Sequence, residues 1–146
     1  MAYMEEARKQ LLWGLSQADV VKISDEEVEF LFGLGVREGA AHILANYGVK
    51  LVFVTCGAEG CFFMNGIAQG HVPGMQGIQV VDTTGAGDIF GGSAVWKLLQ
   101  LGVAPEALTE EQLRDTVTFA CTAAGLSTTN YGGISSVPTL EEVLNS

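Results

Sequence analysis

The sequence predicts a layered α/β fold with a largely parallel sheet. Amphipathic helical stretches alternate along the chain with short apolar runs. One of these runs, residues 51–54, is apolar throughout, as in a strand that is covered on both faces. Of the 146 residues, 48% are hydrophobic and 16% are charged, which is too apolar for a disordered chain. The length suits one domain or one half of a larger one.

The first half of the chain alternates helices and strands. Residues 4–18 carry apolar side chains at helical spacing, residues 20–23 form a β-branched run that predicts a strand, and residues 25–32 resume the helical pattern. A further amphipathic helix over residues 37–47 is followed by Gly48, where a left-handed helix cap is expected. The continuous apolar run then predicts the next strand.

The second half is expected to add a hairpin and three more helices. Asn65-Gly66 is a two-residue hairpin signal, which predicts an antiparallel addition to the sheet. Trp13 and Trp96 lie in apolar helical stripes and are expected in the core. A short strand is predicted at residues 80–81, and helices are predicted over residues 89–101, 110–128 and 140–144.

Charge and cysteine content limit the partners and the location. Seven Lys and Arg against 17 Asp and Glu give a net charge of −10, which argues against non-specific binding to nucleic acid. No apolar run approaches the ~18 residues of a membrane span, and the N-terminus is charged where a signal peptide is apolar. Cys56, Cys61 and Cys121 lack zinc-ligand spacing and are expected to be reduced thiols. We therefore expect a cytoplasmic protein that contacts neither a membrane nor nucleic acid.

The segment that carries chemistry is residues 80–92, where a predicted strand, a glycine-rich turn and a helix follow one another. The first N–H groups of a helix have no internal partner, and the helix dipole adds partial positive charge there. Gly85 and Gly87 allow the backbone to aim these groups at one anion, most often a phosphate. Asp88 follows directly. Such an acid often only stabilises a helix start, but beside a bound anion it suits a general base that takes a proton from an attacking hydroxyl.

Two common nucleotide motifs are absent. A P-loop requires Gly-Lys-Ser/Thr after the glycines, and no such run occurs in the sequence. The dinucleotide-binding fingerprint G-x-G-x-x-G, typical of nicotinamide-dependent oxidoreductases, would place glycine at position 90, which is Phe90.

The run Asp82-Thr83-Thr84-Gly85-Ala86-Gly87-Asp88 resembles the C-terminal signature of the ribokinase-like (PfkB) carbohydrate kinases. Four further stretches resemble that family in order and spacing, with the fructokinases as the nearest version: residues 18–27, 54–60, 119–123 and 132–139. The resemblance implies a three-layer α/β/α ribokinase-like fold. Residues 1–146 would be a single partial domain, the C-terminal, ATP-binding half, without the N-terminal half that grips the sugar and carries the lid.

The resemblance also implies roles for individual residues. Asp88 would be the catalytic base, and the N–H groups of Gly85, Ala86, Gly87 and Asp88 would form the anion hole. Glu27 would hold water around Mg²⁺, although Ser24 stands where the family has Asn in its Asn-x-x-Glu motif. The ATP site would be lined by Thr55, Gly57, Gly60 and Cys121. A monovalent cation such as K⁺ would be bound by Asp82, Thr84, Gly132 and Ser136. Cys121 stands where relatives often have Asn near the nucleotide base.

Two functions follow from this resemblance. The first is a phosphotransferase that moves the γ-phosphoryl group of ATP to a hydroxyl of a small sugar. Fructose is favoured, and ribose, 2-keto-3-deoxygluconate and nucleosides remain open. The second is a non-catalytic nucleotide- or phosphate-binding remnant with a regulatory or interaction role. A sheet cut part-way leaves an open edge, which we expect a second copy or the missing N-terminal half to cover.

Overall fold

The structure, a computed structural model, describes residues 2–74 and 85–127. Its helices and strands agree with the prediction within a few residues; the strand predicted at 80–81 and the helix predicted at 140–144 lie outside the described residues. The elements are α1 (Ala2–Gln17), β1 (Val20–Ser24), α2 (Asp25–Phe32), α3 (Val36–Asn46), β2 (Leu51–Thr55), β3 (Cys61–Asn65), β4 (Gln69–Val72), α4 (Ala86–Leu101) and α5 (Glu110–Ser127).

The four described strands form one sheet in the order β1-β2-β3-β4. β1 and β2 run parallel, as expected for strands joined through helices, here α2 and α3. β3 and β4 are antiparallel additions, so the described sheet is mixed.

Helices cover both faces of the sheet, which confirms the α/β class and its three layers. Alternate residues of β2 divide between two cores, because successive side chains of a strand point to opposite faces. Val52 and Val54 pack in the core that includes residues of α1, α2 and α3, whereas Leu51 and Phe53 pack in the core that includes residues of α4 and α5. β2 is therefore the buried centre of the fold, as its apolar run predicts.

The hairpin forms, but its turn is displaced by one residue from the predicted dipeptide. Asn65 N donates to Ala68 O over 3.0 Å, so Gly66 and Ile67 are the two central residues. The Asn65 side chain is buried and connects the turn to the segment before α5. Its Oδ1 accepts hydrogen bonds from the N–H groups of Ile67 and Ala68, and its Nδ2 donates to the carbonyl of Leu108.

Both tryptophans differ from the expectation that they are in the core. Trp13 is 69% exposed, because Leu12 and Leu15 supply the side of α1 that packs against the sheet. Trp96 is 39% exposed and stacks on Phe119 of α5, with the ring centroids 5.4 Å apart. Across residues 2–74 and 85–127, none of the helices has both the length and the apolar character needed to cross a bilayer.

Candidate functional site

One end of the sheet brings together part of the predicted site. Ser24, the last residue of β1, pairs with Thr55, the last residue of β2. Thr55 also pairs with Cys61, which in turn pairs with Val72 at the end of β4. Both parallel strands thus end at this edge, and ligands of open α/β sheets bind outside such carboxyl ends.

The first turn of α4 has the geometry of an anion site. Gly85 is the N-cap residue with φ 77° and ψ −1°, a left-handed conformation that a side chain disfavours. The first intrahelical bond runs from Ile89 N to Gly85 O over 3.0 Å. The N–H groups of Ala86, Gly87 and Asp88 precede it, and no acceptor within the described ranges takes a bond from them. The Asp88 carboxylate lies in this same turn and is exposed.

A tight turn follows β2 and contains Gly57 and Gly60, two of the residues predicted to line the ATP site. Cys56 N donates to Gly60 O over 2.8 Å, which closes the loop around the short 3₁₀ turn Gly57–Glu59. Gly60 has φ 102°, and a Cβ there would overlap the carbonyl oxygen of Val72. Glycine at this position therefore lets the turn pack directly against the end of β4. Thr55 is half-buried immediately before the turn.

Cys121 lies at an open groove between the end of β4 and α5. The groove has a volume of about 390 Å³, within the ~300–1,000 Å³ typical of ligand pockets. Its lining residues are Val72, Pro73, Arg114, Thr118, Cys121 and Thr122. A larger cavity, of about 660 Å³, lies beside the β3–β4 hairpin and touches none of the predicted site residues.

All three cysteines are free thiols near this end of the sheet. Burial raises the pKa of Cys61, and the neighbouring thiols of Cys121 and Cys56 raise it further. Burial likewise raises the pKa of Cys121 to about 11. Burial is also the main cause that raises the pKa of Cys56, with Asp25 and Glu59 adding to it. The thiols are therefore protonated at neutral pH and act as small apolar groups rather than nucleophiles.

Glu27 lies at the start of α2, on the same edge, and has a structural partner. The Glu27 carboxylate accepts a hydrogen bond from Ser24 N over 3.0 Å, and Ser24 Oγ accepts from Glu27 N over 3.1 Å. This reciprocal capping box engages one carboxylate oxygen, Oε1. The other oxygen accepts no hydrogen bond from the part of the chain described here. Within that same part, no group of three or more His, Cys, Asp or Glu side chains could hold a metal ion by itself.

Lys22 also belongs to this site, although it is not among the predicted site residues. Its Nζ donates to the carbonyl oxygen of Gly87 over 3.2 Å, which connects β1 to the first turn of α4. The signal in the sequence is a charged residue between Val21 and Ile23 in a β-branched run, which indicates a side chain on the opposite face of the strand. Asp82, Thr84, Gly132 and Ser136, predicted to bind a monovalent cation, lie outside the described residues.

Comparison with known proteins extends over almost the whole chain. The family model described as "pfkB family carbohydrate kinase" matches residues 2–140. Fructokinase-1 of Zea mays is 39% identical over 142 residues, which are 96% of this chain and 43% of that protein. Fructokinase-2 of Solanum habrochaites is 39% identical over 143 residues, 96% of this chain and 42% of that protein. The chain thus spans less than half the length of these curated relatives.

Solved structures give the same assignment for the fold. The ATP-bound fructokinase of Xylella fastidiosa superimposes with a TM-score of 0.83 at 31% identity, covering 94% of this chain and 45% of that one. The fructokinase of Vibrio cholerae O395 with fructose, ADP and calcium bound gives a TM-score of 0.80 at 30% identity, covering 97% of this chain and 44% of that one. The ribokinase-like fold and the predicted family are thereby confirmed, and the chain belongs to the pfkB family of carbohydrate kinases.

Proposed function

We propose that this chain supplies the nucleotide-binding and phosphoryl-transfer half of an ATP-dependent sugar kinase, with fructose as the favoured acceptor. The observation that carries the proposal is the first turn of α4, whose N–H groups donate to no acceptor within the described residues and which contacts Lys22 of β1. Fructokinases are the relatives matched over 96% of the chain, which supports fructose over other sugars. Because the chain spans less than half of these relatives, we propose nucleotide binding for the chain itself and turnover for the complete kinase.

Phosphoryl transfer needs charge stabilisation and positioning more than covalent chemistry. The N–H groups of Ala86, Gly87 and Asp88 would donate hydrogen bonds to the transferring phosphoryl group, and the α4 dipole would favour its negative charge. The Asp88 carboxylate would take the proton from the sugar hydroxyl as its oxygen bonds to phosphorus and the bond to ADP breaks. Asp88 is exposed, so an acceptor held by the other half of the kinase can reach it.

The nucleotide would extend from this turn towards the groove at Cys121. It would pass Thr55 and the turn that includes Gly57 and Gly60, at the end of β2. The mostly apolar groove, with Val72 and Cys121, suits a flat base better than a charged group.

Magnesium fits the residues present, because Mg²⁺ in kinases is usually held by one or two carboxylates together with water and the substrate phosphates. Glu27 offers one carboxylate oxygen that the capping box leaves available. We propose that Glu27 binds water of the Mg²⁺ shell, and that Asp82, Thr84, Gly132 and Ser136 hold a monovalent cation.

The remaining half of a kinase would cover the open side of the fold. β1 pairs only with β2 in the described sheet, so its other edge has backbone groups available for a further strand. α4 packs on α5 but leaves Val95 53% and Leu99 74% exposed. Gly87, Gly91, Val95 and Leu99 recur every four residues, and the first two lie against Lys22 of β1. The exposed apolar pair thus continues the side of α4 that contacts Lys22. Because the chain spans less than half of its relatives' length, we propose the other half of a kinase, and not a second copy, as the covering partner.

The proposal is tested by measuring ADP formation from ATP and Mg²⁺ with fructose and other sugars. The chain is assayed alone and mixed with the preceding half of a fructokinase relative such as that of Zea mays. We expect nucleotide binding by the chain and sugar-dependent turnover by the mixture. Binding without turnover in both samples would favour a nucleotide-binding remnant with a regulatory role, and absence of binding would contradict the proposal.

A further inference from the structure

The feature that the proposed function has not used is Lys22, in the middle of β1. Its side chain is exposed and reaches α4, where Nζ donates to Gly87 O over 3.2 Å. Gly87 is in the turn whose N–H groups are proposed to bind phosphate, so the ammonium lies beside that turn.

The Lys22 side chain contacts α4 at two glycines, where the helix backbone has no side chains. A Cβ added at Gly87 would lie 3.5 Å from Lys22 Nζ, and one added at Gly91 would lie 3.7 Å from Lys22 Cδ. The aliphatic stem of Lys22 therefore packs where the helix has no side chains. This packing holds the ammonium at the helix start instead of leaving it free in solvent.

The position is electrostatically unfavourable unless an anion is present. The start of a helix carries partial positive charge, which favours anions and disfavours cations. No carboxylate of the described residues pairs with Lys22, and Arg114–Glu110 is the ion pair found among them. Local rules that are broken without compensation in the protein often mark functional positions.

Other cations of the described chain are directed elsewhere. Arg37 lies over the Phe62 ring and Lys97 over the Phe119 ring, each at a centroid distance below 6 Å. Arg114 is engaged by Glu110 and by the carbonyl of His71. In an acidic protein of net charge −10, Lys22 thus brings a cation into direct contact with the turn.

We propose that the Lys22 ammonium binds the phosphate chain of the nucleotide and offsets part of its charge beside the α4 turn. This inference rests on the proposed function. Nζ has three donors, of which one is used by Gly87, so it can contact a phosphate oxygen without leaving the helix.

The test compares the affinities of ADP and adenosine for the chain and three variants by calorimetric titration. Lys22→Met removes the charge, Lys22→Arg keeps it, and Lys50→Met removes an equal charge just before β2, at the opposite end of the strands. We expect Lys22→Met to weaken ADP binding about tenfold or more, since hydrogen bonds to charged groups are the strong ones, and to leave adenosine binding within about twofold. Lys22→Arg should recover part of the ADP affinity, and Lys50→Met should bind ADP as the unsubstituted chain does.

Three results would overturn the proposed role of Lys22 without affecting the proposed function. They are an unchanged ADP affinity in Lys22→Met, an equal loss of affinity for ADP and adenosine in that variant, and an equal loss of ADP affinity in Lys50→Met. The second would assign Lys22 a purely structural contact with α4. The third would indicate that ADP affinity depends on the net charge of the chain and not on the position of Lys22. If the unsubstituted chain binds no ADP, the proposed function fails together with this inference.

Discussion

Ser24 and Glu27 cap the start of α2 reciprocally, with each residue's backbone N–H bonded to the other's side chain, over 3.0 and 3.1 Å. Glu27 is therefore already a structural residue before any metal is considered. Its structural and metal-related roles can be separated because glutamine also completes a capping box.

Glu27→Gln should keep the stability of the fold and weaken the dependence of nucleotide binding on Mg²⁺, because the amide can accept from Ser24 N but lacks the negative charge. Glu27→Ala should lose both, with a decrease of about 1 kcal/mol in the free energy of unfolding. Urea unfolding and ADP titration at several Mg²⁺ concentrations measure the two effects. Equal Mg²⁺ dependence in Glu27→Gln and the unsubstituted chain would remove Glu27 from the metal site.

Gly85→Ala should weaken phosphate binding, because the side chain disfavours the left-handed N-cap conformation that sets the direction of the first N–H groups. Gly102→Ala is the matched control, since Gly102 caps the other end of α4 with φ 63°. Both substitutions should lower stability by roughly 1–2 kcal/mol. ADP affinity should fall only in Gly85→Ala, and a similar fall in both variants would show that the loss follows from destabilised α4.

Asp88→Asn should abolish turnover in the reconstituted kinase while ATP still binds. Loss of a general base lowers turnover by about 10²–10⁴-fold. Removing a carboxylate beside the bound phosphate should leave nucleotide affinity equal or greater, because a repulsion is lost. Initial rates and ATP titration of the same samples check both parts, and undiminished turnover would exclude Asp88 as the base.

The free energy of unfolding should decrease as the pH rises above about 9. Burial raises the pKa of Cys61 above its ordinary value of 9.0, so the unfolded chain releases this proton at a pH where the folded chain retains it. The expected slope is about 1.4 kcal/mol per pH unit for one fully coupled thiol. Urea titrations between pH 8 and 10.5 measure the slope, and Cys61→Ala should reduce it. An identical slope in that variant would mean that other groups cause the decrease.

Leu99→Asp should prevent assembly with the preceding half of a kinase without destabilising the isolated chain, because Leu99 is 74% exposed on α4. Ile67→Asp, on the hairpin and 67% exposed, provides a control with the same change in charge and apolar area away from that face. Sedimentation of the mixtures distinguishes the two. Assembly that is equally impaired or equally intact in both variants would contradict the proposed covering of α4.

The sequence was sufficient to predict elements whose pattern is local. The apolar run of β2 and the helical spacing of apolar residues in α2 and α3 specify their structure through neighbours within a few positions. The displaced hairpin turn was not predictable in this way, because the Asn65 side chain is held by the carbonyl of Leu108, 43 residues away. The exposure of Trp13 likewise depends on which side of α1 meets the sheet.

The same distinction between local patterns and distant contacts applies to the candidate site. The glycine turn and Asp88 are contiguous, so their chemistry could be inferred from order and spacing alone. Lys22 reaches Gly87 across a separation of 65 residues, and only the packing of α4 over β1 brings them together. Its contribution could not be predicted from a motif.

The most direct test of the account is an amide ¹H–¹⁵N correlation spectrum of the chain titrated with Mg²⁺ and ADP, with adenosine as the comparison. We expect the largest ADP-specific shifts at the amides of Ala86, Gly87 and Asp88, with smaller shifts shared by both ligands near Cys121. Shifts confined to the cavity beside the β3–β4 hairpin, or ADP shifts identical to those of adenosine, would contradict the claim that the start of α4 binds phosphate.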